Sequence, residues 1–350
     1  MKPQWKRRIK IFGLIFFLII LLGVIAFLVL EIMGKKAMLG TKDAEIEVTA
    51  PETEDVIVEE SGDVVTYKGE KYVYNENITS ILFMGIDKRT IENTSSKIGK
   101  SGQADMLMLA IMDVESGKVN LWNISRDAMT EVDIYNVEGE YVRTDNLQAC
   151  LAYAYGDGRE SSCRNVVRSV SRLLYGMPIQ SYAAIDLEAL PLLNDAVGGV
   201  EVTIHEGDIL TADFKPGTKV LLTGEDAEKY LRTRILDWTT MGTLDSNNNR
   251  MARQKQYMTN FMHKALVQTR EDITTPVKLY RIAMQDDHMV TDLTPAKITY
   301  LATVFSKVNF SENNFQKVPG EVVAGEVYAE YHVDDEALYQ MILDTFYVKQ

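Results

Sequence analysis

The sequence predicts an α/β protein, a three-layer α-β-α sandwich around a central mixed sheet, preceded by one transmembrane helix. Three observations carry that expectation. Residues Ile81–Ile86 are apolar apart from one glycine and show no polar alternation, the pattern of a strand buried on both faces in the middle of a sheet. Further apolar runs then alternate with amphipathic helical segments, the order of a layered α/β fold. Residues 11–30 form twenty consecutive positions without a charge, long enough to cross a bilayer at about 1.5 Å per residue.

Composition narrows the function classes. The 350-residue chain is 46% hydrophobic and 25% charged, ordinary for a globular protein with something attached. Its formal net charge is -13, although the first ten residues carry Lys2, Lys6, Arg7, Arg8 and Lys10 and no acid. Everything beyond them is more acidic still, which argues against nucleic acid as a partner. Cys150 and Cys163 are too few for a disulfide-built scaffold or a four-ligand zinc site. No two of His205, His263, His288 and His332 lie at metal-ligand spacing, so a histidine-centred zinc enzyme is not expected.

The basic cluster before the apolar run places residues 1–10 in the cytoplasm and the rest outside, by the positive-inside rule. A cleaved signal peptide would have a shorter apolar region and a small-residue cleavage site, which Glu31-Ile-Met-Gly-Lys-Lys does not supply. The expectation is a single-pass cell-membrane protein with an uncleaved signal-anchor over residues 11–33. Residues 34–63 hold Asp43, Glu45, Glu47, Glu52, Glu54, Asp55, Glu59 and Glu60, whose mutual repulsion favours a solvated stalk. Residues 64–350 are then one extracellular domain, with no Pro- or Gly-rich linker inside it.

Val64–Tyr74 reads as a hairpin with β-formers flanking Lys68-Gly69. It feeds the Ile81 strand, which ends in Asp87 and Arg89. Alone, that pair is most simply a surface ion pair; it also suits a metal and a phosphate held together. Asp105 opens a second apolar run, Met106–Met112, and a third, Val119–Ile124, ends in Ser125-Arg126-Asp127. Charges abutting three core strands are costly unless paired or bound, which points to a constructed site. From Ser161 to Tyr175, Cys163, Val166, Val167, Val170, Leu173 and Leu174 follow helical spacing, stopped by Gly176 and Pro178. Arg164, Arg168 and Arg172 fall on another face as a solvated stripe, outside the site.

A strand (Tyr182–Asp186), a helix (Leu187–Ala196) and a strand (Gly199–Ile204) come next. A helix capped by Thr223 runs into Arg232 and Arg234, which diverge if the helix continues and share a face if the backbone extends. A long helix from about Arg250 to Thr269 carries Arg250 and Gln254 one turn apart near its N-terminus, either an anion seat or a plain exposed helix start. The remainder reads as further helix, a strand near Phe315–Val318 and a closing helix, Asp334–Phe346.

Assembled, these residues resemble the LytR-CpsA-Psr (LCP) family of Gram-positive cell-envelope proteins. The resemblance rests on Ile-Leu-Phe-Met-Gly-Ile-Asp87-Lys-Arg89, Gln-Ala-Asp105-Met-Leu-Met-Leu, Asn-Ile-Ser-Arg126-Asp127 and Ala152-Tyr-Ala-Tyr-Gly156. It continues through Val197-Gly-Gly-Val-Glu-Val, Leu222-Thr-Gly-Glu-Asp-Ala-Glu-Lys-Tyr-Leu-Arg232-Thr-Arg234 and Arg250-Met-Ala-Arg-Gln254, so the core motifs span about residues 74–266.

The resemblance implies a phosphotransferase that attaches a glycopolymer, such as wall teichoic acid or capsule, from an undecaprenyl pyrophosphate carrier to peptidoglycan. It assigns Asp87 and Asp105 to Mg²⁺, and Arg89, Arg126, Arg232, Arg234, Arg250 and Gln254 to the pyrophosphate. Asp87, Asp105, Arg126 and Asp127 become the catalytic set, with Asp105 or Asp127 orienting or deprotonating the acceptor hydroxyl. An apolar tunnel or groove is implied for the polyprenyl chain. A hydrolase of the lipid carrier and a non-catalytic lipid-binding regulator are the alternatives; the ten-residue cytoplasmic tail offers the regulator no effector domain. The loops 88–104 and 235–249 look long for the family. The usual Lys-Ile-Asn is here Asn146-Leu-Gln148, which removes or replaces a polar contact. Cys150 and Cys163, outside the membrane, are expected to form a disulfide pinning that loop to the helix start, with two buried free thiols the alternative.

Overall fold

The computed structural model describes residues 3–39, 46–52, 56–59, 62–94, 99–205, 215–232, 244–308, 310–325 and 328–350; side chains of residues 3–20, 244–251 and 312 lie outside that description. The chain begins with α1 (Pro3–Met38), β1 (Val56–Val58), β2 (Val64–Tyr67), β3 (Glu70–Tyr74), β4 (Ile78–Ile86), β5 (Ala104–Asp113) and β6 (Val119–Ile124). Then come β7 (Met129–Tyr135), β8 (Tyr141–Gln148), a 3-10 helix (Ala149–Tyr155), α2 (Glu160–Leu173), β9 (Ser181–Ile185), α3 (Ala189–Ala196), β10 (Val200–Thr203), β11 (Lys219–Leu222) and α4 (Glu225–Arg232). The chain closes with α5 (Leu244–Glu271), α6 (Thr275–Met284), β12 (Met289–Thr291), α7 (Pro295–Lys307), β13 (Phe315–Lys317), β14 (Gly320–Ala324), β15 (Ala329–Val333), α8 (Asp335–Phe346) and β16 (Tyr347–Lys349).

The central sheet has six strands in the order β12-β9-β4-β5-β6-β13, with β4 inside it as its unbroken apolar run predicts. The sheet is mixed: β9 and β4 run parallel, β4, β5 and β6 antiparallel. Successive residues of β4 alternate between the two faces. Leu82 and Met84 pack with Trp122, Val166 and Val170 of α2, and Ile342 of α8. Ile81 packs on the other side with Leu266, Ala283 and Leu301 of α5, α6 and α7. Each such fully buried aliphatic side chain contributes about 1.5–3 kcal/mol relative to exposure. A smaller cluster joins β10, β11, α4 and α5 around Tyr230 and Tyr257, so the predicted Gly199–Ile204 strand belongs to a separate two-stranded sheet.

Lys68 and Gly69 both have positive φ (51° and 78°), the two-residue turn that a tight β2–β3 hairpin requires. The segment predicted as a solvated stalk partly joins the fold. β1 pairs with β2, Thr49 N donates to Tyr175 O at 3.0 Å, and Val48, Ala50, Val56 and Val58 pack against the core. Valines between the acids find a sheet edge, which a charge count does not reveal.

The expected stripe of solvated arginines is also corrected. Arg168 and Arg172 reach across to Asp133 of β7, 4% exposed, at 3.0 and 2.7 Å, and Thr144 donates to the same carboxylate at 2.7 Å. Only Arg164 stays outside, beside Glu160. The β7–β8 hairpin, unpredicted because its outer strand is polar, supplies this carboxylate.

α1 ends against the body of the molecule: a Cβ on Gly34 would lie 2.1 Å from Ala296 O of α7, and Met38 is fully buried with the α7 residues. Among the described residues no helix is long and apolar enough to cross a membrane. Half of the uncharged run 11–30 falls on residues whose side chains are outside the description.

Candidate active site

The backbone at the end of β4 explains how Asp87 and Asp105 come together. Gly85 faces Met106 and Ile86 faces Ala104, so Asp105 is the extra residue of a β-bulge. A bulge re-aims a side chain out of the ladder, and Asp105 is exposed between buried Ala104 and half-buried Met106. Asp87 is fixed from the other side: its N donates to Gln103 O at 3.1 Å and its Oδ1 accepts from Gln103 N at 2.7 Å. Gly102 (φ +100°) permits this approach, since a Cβ there would stand 2.8 Å from Asp87 Oδ1.

Arg126, on the turn after β6, donates to Asp105, to Asp127 Oδ1 (3.3 Å) and to Gln103 Oε1 (2.9 Å). Its turn is held by bonds from Ala128 N to Ser125 O and from Cys150 N to Arg126 O. Burial works against the charge on Arg126; Cys150, Asp105 and Asp127 around it outweigh that and hold its pKa above the ordinary value. Arg89 pairs with Glu188 (3.2 Å) and Glu228 (3.1 Å), while Arg232 pairs with Glu228 at 2.7 Å.

Asp87, Asp105, Arg232 and Gln254 line one cavity of about 350 Å³, together with Asp186, Leu190, Tyr257 and other apolar residues. A second, almost wholly apolar cavity of about 240 Å³ adjoins it through Met106, Ile185, Leu193, Met258 and Phe261. It runs between the central sheet and α5, α6 and α7. A charged mouth thus shares a wall with an oily chamber.

Of the residues predicted for the site, Asp87, Asp105, Arg126 and Asp127 form one linked group, and Arg89, Arg232 and Gln254 flank it. Arg234 lies outside the described residues, as does the side chain of Arg250. Gln103, Asp186, Glu188 and Glu228 were not anticipated. Asp186 carried the same signal as Asp87, a carboxylate ending an apolar strand; it is 2% exposed, bonded to Ala189 N (3.0 Å) and His288 Nδ1 (3.0 Å). The Glu228–Arg232 spacing of one helical turn was visible in the sequence too.

Among the described residues no group of three or more His, Cys, Asp or Glu is placed to hold a metal ion. Two carboxylates at one mouth nevertheless fit Mg²⁺, which binds through one or two carboxylates and takes its other ligands from phosphate and water.

The expected disulfide is absent. Cys150 and Cys163 are both buried free thiols. Cys150 Sγ faces Gln103 Oε1 at 3.9 Å beside Arg126, whereas Cys163 sits in the core with Val166 on α2, so the two sulfurs serve different surroundings. Burial pushes the Cys150 thiol up to about 12, and raises Cys163 as well. Alkylation of the protein isolated without reductant should therefore label neither thiol when folded and both in denaturant, read by intact mass; a mass showing a bridged pair would contradict the structure.

A six-stranded mixed sheet thus lies between helical layers, with carboxylates and guanidiniums gathered beyond its strand ends beside an apolar chamber. The LytR_cpsA_psr family model matches residues 42–345. The chain belongs to that family. It is 28% identical over 213 residues to biofilm regulatory protein A of Streptococcus mutans, a match covering 58% of this chain and 48% of that one. It thus spans about half the length of that relative. It is 27% identical over 292 residues to the polyisoprenyl-teichoic acid–peptidoglycan teichoic acid transferase TagU of Enterococcus faecalis, covering 81% of this chain and 79% of that one. The fold is that of TagV from B. subtilis, with a TM-score of 0.56 at 20% identity over 78% of this chain and 96% of that chain.

Proposed function

We propose that this chain is a membrane-anchored phosphotransferase. It moves a glycopolymer, such as a teichoic acid or capsule, from an undecaprenyl pyrophosphate carrier to peptidoglycan, with Mg²⁺ at Asp87 and Asp105 and residues 11–33 as its anchor. The observation that carries this reading is the adjacency of the two cavities: a charged mouth sharing a wall with an apolar chamber suits a pyrophosphate bearing a long hydrocarbon. The relative named as a teichoic acid transferase supports the same substrate class.

In this mechanism an acceptor sugar hydroxyl attacks the phosphorus that carries the glycopolymer. The bond to the bridging oxygen breaks, and polyprenyl phosphate leaves. Mg²⁺, when bound, supplies positive charge to the phosphate oxygens. Arg126 offers its fork to the equatorial oxygens as their charge shifts, and Arg89 and Arg232 hold the leaving phosphate. The hydroxyl proton passes to a carboxylate beside Arg126, Asp105 or Asp127. Arg234, Arg250 and Gln254 complete the pyrophosphate cage.

The test uses the full chain in detergent micelles with a polyprenyl-pyrophosphate-linked saccharide and peptidoglycan fragments, with and without Mg²⁺. Saccharide phosphate linked to the fragment, dependent on Mg²⁺, is the expected product. Free saccharide phosphate in its place would identify a hydrolase, and lipid binding without turnover would leave a receptor.

A further inference from the structure

Among the described residues, Glu228 is the most buried acid paired with an arginine of the predicted pyrophosphate cage, and the chemistry of that cage does not account for it. Its side chain is 11% exposed and its carboxylate bridges two arginines: Oε2 accepts from Arg89 Nη1 at 3.1 Å, Oε1 from Arg232 Nη1 at 2.7 Å. The arginines come from distant parts of the chain, Arg89 after β4 and Arg232 at the end of α4. Each gives Glu228 a single nitrogen, leaving the rest of its fork for another anion. Glu188, the other acid on Arg89, is 44% exposed and screened by water. Glu228 is far less so, and its charge acts on the two guanidiniums it bridges.

We propose that Glu228 is a positioning residue that sets both the spacing of Arg89 and Arg232 and their affinity for pyrophosphate. It ties the two guanidiniums into one unit, and it cancels part of their charge so that the phosphate product is released. The inference rests on the function proposed above. An uncompensated pair of arginines would bind a multiply charged anion more tightly, in reactant and product alike. Tighter binding of both raises no barrier difference in favour of reaction and slows release.

The experiment titrates inorganic pyrophosphate, with Mg²⁺, into the full chain by calorimetry, alongside steady-state kinetics of transfer. Glu228→Gln, which keeps the shape and removes the charge, should bind pyrophosphate about tenfold tighter, with a lower KM for the lipid donor and a lower kcat. Glu228→Asp keeps the charge on a shorter stem. It should show wild-type affinity with a reduced kcat, because the spacing alone is disturbed. Unchanged or weaker pyrophosphate binding by Glu228→Gln would overturn the proposal, as would loss of melting temperature in both variants with no shift in affinity. Wild-type and Arg232→Ala titrations separate the two levels of inference. If wild type binds pyrophosphate and Arg232→Ala binds it more weakly, the cage stands and the Glu228 result is judged by itself. If wild type fails to bind, the cage reading falls first.

Discussion

Arg126→Ala is expected to lower the turnover of glycopolymer transfer by about a thousandfold or more, with a far smaller effect on donor binding. The size follows from where the side chain sits. It touches both carboxylates placed at the reacting centre and the glutamine that fixes Asp87, so its removal costs transition-state charge and leaves Asp105 and Asp127 without the cation between them. Arg126→Lys should recover only a small part. A single ammonium cannot span acceptors on three residues, whereas a planar guanidinium does. Single-turnover rates with preloaded lipid donor would separate the chemical step from binding. A variant with near wild-type rate would remove Arg126 from the mechanism and shift attention to Arg89 and Arg232.

Asp133→Ala should cost about 3 kcal/mol of stability, the lower end of the range for breaking a buried ion pair because both arginines are partly exposed. Two guanidiniums on α2 would lose their shared acceptor, and Thr144 its partner, so the β7–β8 hairpin would loosen from the helix. Burial raises the carboxyl pKa of Asp133; Arg172, Thr144 and Arg168 outweigh that and hold it below its ordinary 3.8. A depressed folded value means the stabilisation is complete above that ordinary value and disappears as the pH falls through the folded one. Chemical denaturation of wild type and variant should therefore differ most at neutral pH and converge in strong acid. Equal stability at pH 7 would show that the triad is ornamental.

The parts of the fold legible in the sequence were those with one dominant signal. β4 and β5 contain unbroken apolar runs and β6 an apolar run interrupted by Asn120 and Asn123, and their observed bounds differ from the predicted ones by at most a few residues. α2 and α8 carry clear helical spacing, α8 with Asp334 capping Ala337 N at 3.0 Å as its position suggests. β7, β8, β14 and β15 were missed because hairpins exposed on one side or both lack such a run; β8 is largely polar and every residue of β14 is exposed. Within the site, acids and arginines at strand ends were readable because a charge beside a core strand demands a partner. Who the partner is was not readable. Glu228 and Arg89 are 139 residues apart, and only the folded sheet brings them together. The cysteines failed for the same reason: proximity along the chain says nothing about which way two side chains on a 3-10 helix and an α-helix point.

The contact at Gly34 has a consequence for orientation. A helix that ends by inserting Met38 into the globule, and that packs closely on α7 at Gly34, is held to the body at that point. With the rod upright in a bilayer, the oily chamber on the inner side of α7 would keep a constant bearing and height over the lipid surface. The charged mouth would then keep one angle to that surface, as a tool clamped in a holder does. A bulkier residue at Gly34 would prise the joint open, and a fragment starting at Val64 would lack both the clamp and the strand that borders β2.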